Sequence, residues 1–169
     1  MQPNIYHCKK GLLPFIKEPI LDSSGNVIMQ VSSKLSWLPK FKFIVGETTI
    51  YTAILKNAAG NMLKKEFIIF DHSNEIKAVV SEKGLLKKKS IFTEYDIFIG
   101  ENKYEAIYQP MYKGFRINDV NNQLCVKGVK TDFFISNFLN NRSYYVEICN
   151  EEHDPSIWLT IVKGMQFLE

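Results

Sequence analysis

The sequence predicts an all-β fold with one helix: about twelve strands in a closed antiparallel barrel wrapped around a buried C-terminal apolar helix. Three observations lead there. Runs rich in Ile, Val, Phe, Tyr and Thr are interrupted about every ten to fifteen residues by Asp, Asn, Gly and Ser clusters, as in folds built from successive hairpins. One turn pattern recurs along the chain. The end of the chain, DPSIWLTIVKGMQFL, reads as a helix that is apolar almost all round and therefore needs an enclosing apolar surface. It is too short to cross a bilayer, which takes about 20 apolar residues. Side chains alone fill a barrel only up to roughly eight strands, so a wider barrel has room for that helix in its lumen.

The chain has 169 residues, 46% of them hydrophobic, which suffices for one domain spanning 1–169 with a sizeable core. No linker or change of composition marks a second domain. Lys and Arg number 21 against 18 Asp and Glu, leaving +3, too small a balance to attract nucleic acid or membrane by itself. Any electrostatic partner must come from a local cluster. Cys8, Cys125 and Cys149 are odd in number, far apart and set in or beside apolar runs, so buried thiols are expected rather than disulfides or a metal site. The start, MQPNIYHCKKG, lacks a basic segment followed by a long apolar run, and a reducing cytoplasmic setting is the simplest expectation.

Taken in order, KFKFIV alternates with Phe41, Phe43 and Val45 on one face and Lys40 and Lys42 on the other. TIYTAIL has two usable faces, Ile50, Thr52 and Ile54 opposing Tyr51, Ala53 and Leu55. In SIFTEYDIFI, Ile91, Thr93, Tyr95, Ile97 and Ile99 form one row and Phe92, Glu94, Asp96 and Phe98 the other. The recurring turn appears in ILDSSGNVIMQV, ILKNAAGNMLKKEF, IIFDHSNEIKAVV and RINDVNNQLCVKG. Asp22, Asn57, Asp71 and either Asn118 or Asp119 can accept backbone N–H groups two residues on. Gly25 and Gly60 supply positive φ, and Asn74 and Asn122 replace them where glycine is missing. The final helix starts with Asp154 as N-cap and Pro155 at the first helical position. Ile157, Trp158, Leu159, Ile161, Val162 and Met165 make it a plug, with Phe167 and Leu168 beyond and only a thin polar stripe of Ser156, Thr160 and Lys163. Gly164 costs about 1 kcal/mol relative to alanine there, which suggests close packing of the helix on a strand.

Over about 20–168 the chain resembles the tubby C-terminal-like superfamily, in its LURP-one-related, scramblase and tubby-like branch. The resemblance is carried by the repeated hairpins, above all LKKEFIIFDHSNEIKAVVSEKG followed by KKKSIFTEYDI, and by the late Asp-Pro-initiated helix. It implies a twelve-stranded barrel around a central C-terminal helix and a binding module for membrane lipid or protein.

The densest positive cluster is Lys83, Lys87, Lys88 and Lys89, beside Leu85 and Leu86. It suits an anionic membrane, at about 1 kcal/mol per lysine near acidic headgroups. The simpler account, and the one favoured for these four residues, is a hairpin loop whose lysines confer solubility and block edge pairing. Lys9 with Lys10 and Lys64 with Lys65 are smaller pairs of the same kind. His7, His72 and His153 are scattered, and His7 beside Cys8 lacks the second ligand pair of a structural zinc site, so no metal or cofactor is expected. Glu151, Glu152 and Asp154 with His153 could serve acid/base chemistry, but carboxylates at the start of a helix are accounted for by its dipole. No G-x-S-x-G, phosphate-binding loop, H-E-x-x-H or Cys-x-x-Cys occurs, so no catalytic residue is assigned. Tyr104, Tyr108, Tyr112, Tyr144 and Tyr145 lack the interleaved basic stripe of a nucleic-acid groove, and no nucleic-acid partner is expected. The expectation is a non-enzymatic cytoplasmic module, peripheral to the membrane, that binds anionic lipid headgroups or a protein partner. The alternatives are a carrier or sensor of a small apolar ligand and, less favoured, an enzyme.

Overall fold

A computed structural model describes residues 4–8, 17–34, 38–58, 61–83, 93–109, 114–130 and 143–168; for 58, 61–63 and 109 only the backbone is described. Its strands are β1 (Asn4–Cys8), β2 (Glu18–Asp22), β3 (Val27–Lys34), β4 (Lys40–Val45), β5 (Thr48–Ala58) and β6 (Asn61–Phe70). There follow β7 (Ile76–Glu82), β8 (Glu94–Ile99), β9 (Asn102–Gln109), β10 (Gly114–Asp119), β11 (Leu124–Lys130) and β12 (Tyr144–Ile148), then α1 (Pro155–Leu168). Each strand pairs antiparallel with its neighbours in sequence, and β1 pairs with both β2 and β12, closing the barrel. Closure leaves no sheet edge to template unwanted pairing.

Three of the repeated turns are the same object. Asp22, Asp71 and Asp119 each accept N–H groups through Oδ1 from the residues two and four positions on, at 2.8 to 3.0 Å. The fourth residue of each has positive φ: 85° at Gly25, 62° at Asn74 and 64° at Asn122. Each hairpin also shifts register just before its aspartate, between Ile20 and Leu21, Ile69 and Phe70, and Ile117 and Asn118. Of the two acceptors open in the last repeat, Asp119 is the one used. The turn beginning at Asn57 includes 59–60, outside the described residues.

α1 lies inside the barrel. Asp154 caps it, Oδ1 accepting the Ser156 N–H at 2.7 Å. Trp158, Ile161 and Val162 are wholly buried, and Ile157, Leu159 and Met165 nearly so. Phe167 stacks on Phe41 with ring centroids 4.2 Å apart, while Phe67 lies against Phe41, Phe43 and Phe167. Gly164 faces the Phe67 ring so closely that a Cβ there would stand 2.5 Å from Cδ1, so the close helix-to-strand packing expected of it is present.

The polar stripe of the helix is enclosed with the rest of it: Thr160 and Lys163 are 0% accessible. Thr160 Oγ1 donates to the Ser156 carbonyl at 2.8 Å, and Lys163 Nζ ion-pairs with Glu18 and lies 5.4 Å from the centre of the Phe167 ring. The lumen closes all round the helix, so its polar residues must find partners inside. Contrary to expectation Cys149 is exposed, whereas Cys8 and Cys125 are buried. Cys149 immediately follows inward-facing Ile148, so strand alternation turns it outward.

Candidate functional site

Lys83, the first residue of the expected lipid-binding cluster, is not a free surface lysine. It lies just past β7 and is 6% accessible. Its Nζ is 3.2 Å from Glu105, 3.4 Å from Glu94 and 3.8 Å from Asp96. Lys103 adds contacts of 3.3 Å to Asp96 and to Glu105. The Asp96 charge, with help from Glu105, raises the Lys103 pKa above its ordinary value. Register builds this cage on the outer face, because Ser81 pairs with Asp96 and Asp96 with Glu105 across β7, β8 and β9. The Lys83 charge is therefore satisfied internally. Lys87, Lys88 and Lys89 lie outside the described residues. Of the smaller pairs, Lys64 meets Glu66 at 3.9 Å, Lys65 is exposed, and Lys9 and Lys10 are not among the described residues.

Lysines without such partners gather elsewhere. Lys34 and Lys40 face each other across β3 and β4, and Lys42 faces Ser32 one step along. Lys17, immediately before β2, continues the same row, since Glu18 pairs with Val31. All four are exposed, and none forms an ion pair with a described residue. Like charges directly opposite on a sheet are unfavourable. Apart from Asp22 at the far end of β2, where the first turn begins, the outward positions of β2 to β5 carry no Asp or Glu to relieve them, whereas Glu18 points inward to Lys163. This face can hold a polyanion, or several separate anionic groups, with nothing to displace first.

The opposite character appears at the barrel end where α1 begins. There the hairpins after the even-numbered strands contribute Asp22, Glu47, Asp71, Glu75, Glu101 and Asp119. Glu151, Glu152 and Asp154 lead into the helix at the same end, and none of these turns contains Lys or Arg. Negative charge beside the helix start is favourable to its dipole.

The residues considered for acid/base work divide there. Asp154 caps α1 as expected, whereas Glu152 and His153 clasp β9. The Tyr104 hydroxyl is 2.8 Å from His153 Nε2 and 3.3 Å from Glu152 Oε2, and Asn102 donates to Glu152 Oε1 at 3.0 Å. The Trp158 ring meets Tyr104 edge-on, with centroids 5.0 Å apart. Burial, reinforced by the Glu152 charge, pushes the Tyr104 pKa up to about 12. This arrangement ties the start of the helix to β9. Burial raises the pKa of all three thiols, that of Cys8 to about 12. Tyr104 and Tyr144 are buried in the core and Tyr145 is exposed, while Tyr112 lies outside the described residues. Among the described residues no three metal-ligating side chains come together.

A cleft of about 180 Å³ opens on the outer face where β1, β2 and β12 meet, lined by Ile5, Tyr6, His7, Leu21, Asp22 and Tyr145 among others. His7 and Tyr145 stack at 4.7 Å. Comparison with protein-family models, with curated proteins and with solved structures found no match to this chain.

Proposed function

We propose that this barrel is a non-enzymatic binding module that docks peripherally on anionic membrane lipid headgroups through the outer face of β2 to β4. The observation that carries the reading is the set Lys17, Lys34, Lys40 and Lys42, exposed together with no described acidic partner. At about 1 kcal/mol per lysine near acidic headgroups, four of them contribute on the order of 4 kcal/mol, close to a thousandfold in partitioning. The resemblance to tubby-like barrels points the same way. A carrier for an apolar ligand is disfavoured because α1 occupies the lumen. Catalysis is disfavoured because Glu152, His153 and Asp154 at the helix start are engaged in hydrogen bonds that tie α1 to β9 and cap it.

Vesicle flotation tests the reading. The wild-type protein should float with vesicles rich in phosphatidylserine and not with phosphatidylcholine alone, and binding should weaken as salt is added. Lys34→Glu, Lys40→Glu and Lys42→Glu together should abolish flotation while circular dichroism remains unchanged. Equal behaviour with neutral and anionic vesicles, or indifference to the triple substitution, would refute it.

A further inference from the structure

We infer that the barrel end where α1 begins is a docking surface for a lysine- and arginine-rich amphipathic segment of a partner protein. The first ground is apolar exposure in equivalent places. The residue following each of the three identical turns is a large apolar one, 53% accessible at Val27, 60% at Ile76 and 37% at Leu124. Val120, at 74%, and Val45, at 41%, lie at the same end. Single exposed apolar residues need no explanation, but their repeated placement around one end forms a ring that water solvates poorly.

Charge complementarity identifies the occupant. The turns between these residues carry carboxylates and neither Lys nor Arg, so an acidic partner is repelled and a basic one is steered in. Asp22 is held ionised by Asn26, whose side chain and backbone donate to it and lower its pKa.

The cleft supplies an anchor point. Leu21 and Ile5 offer an apolar wall for the stem of a Lys or Arg side chain, and the half-exposed Tyr145 ring offers a face for its charged head. The Asp22 carboxylate completes the surroundings of a cation, and about 180 Å³ is room enough for one such side chain. The two charged surfaces thus divide the work: lysines on β2 to β4 suit anionic lipid, and the acidic apolar end suits a basic protein segment.

The test uses a fluorescent twelve-residue peptide of alternating Lys-Leu character, with a Glu-Leu peptide and a Lys-Ser peptide as controls. Binding is followed by fluorescence anisotropy on the whole protein and mapped by amide chemical shifts. The Lys-Leu peptide should bind with shifts confined to the turns near Asp22, Asp71 and Asp119 and to the cleft, and both controls should bind at least tenfold more weakly. Tyr145→Ser should weaken binding about tenfold. Ile76→Ser, at an exposed turn position unconnected to the cleft, should weaken it several-fold without altering the fold. Equal binding of Lys-Leu and Lys-Ser peptides, shifts spread over the whole barrel, no detectable binding, or indifference to both substitutions would each overturn the inference. Because Tyr145→Ser leaves the lysines of β2 to β4 intact, vesicle flotation should not change, so this surface and the lipid-binding face fail separately.

Discussion

Replacing Gly164 with alanine sets two well-characterised effects against each other. In an exposed helix the change stabilises by about 1 kcal/mol, because glycine loses more backbone freedom on ordering. Here the added Cβ would stand 2.5, 3.0 and 3.1 Å from three carbons of the Phe67 ring. Ordinary contact between carbons is about 3.5 to 4.0 Å, so the ring must retreat by roughly 1 Å. It has little room to do so, being 0% accessible and enclosed by Phe41, Phe43 and Phe167. Overpacking of this kind costs about 1 to 3 kcal/mol, which outweighs the helix gain and leaves a net loss of about 1 kcal/mol. Urea denaturation should show the midpoint lowered by about 0.5 M with an unchanged slope, since slopes for small proteins are about 1 to 3 kcal/mol per M. In a Phe67→Leu background, Gly164→Ala should become neutral or stabilising, because the obstructing ring is gone. An increase of about 1 kcal/mol in the wild-type background would refute the packing of α1 on β6.

Lys163→Met should destabilise by about 3 kcal/mol in chemical denaturation, because it strands the Glu18 carboxylate inside the barrel; adding Glu18→Met should recover most of the loss. Stability should fall as pH rises from about 9 towards 12: Cys8 and Tyr104 both titrate near 12 when folded, above their ordinary 9.0 and 10.0, so the folded chain keeps protons that the unfolded chain releases. Each contribution is complete below the ordinary value and lost as pH passes the folded one, so Tyr104→Phe should flatten the profile between pH 10 and 12. Asp71→Ala should lower stability by about 1 kcal/mol through loss of two accepted N–H groups, and Asp71→Asn by less, since its amide oxygen still accepts; thermal unfolding at neutral pH distinguishes them.

What the sequence makes legible is local chemistry. Asp22, Asp71 and Asp119 announce their turns because side chain and backbone partners lie within four residues, and Asp154-Pro155 announces the helix for the same reason. The burial of α1 follows from its all-round apolar surface. Lys83 shows where such reading stops: three neighbouring Lys residues in the chain suggest a basic loop, but its own charge is met by Glu94, Asp96 and Glu105, brought together only by the pairing of β7, β8 and β9. The same non-local step hid the basic face. Alternation alone puts Lys40 and Lys42 on one side of a strand, but only register sets Lys34 opposite Lys40 and brings Lys17 alongside. Lys163 is a further case: its partner Glu18 is 145 residues away in the chain, so nothing local pairs them.

With α1 a permanent occupant of the lumen, binding would take place on the barrel's outer surface. Native-state hydrogen exchange, with and without phosphatidylserine-rich vesicles, tests this occupancy most directly. The amides of Leu159 to Met165 should exchange only through global unfolding, as slowly as the slowest strand amides, and vesicles should leave this protection unchanged. Exchange of those amides at turn-like rates while the strands stay protected, or their loss of protection on vesicles, would contradict it.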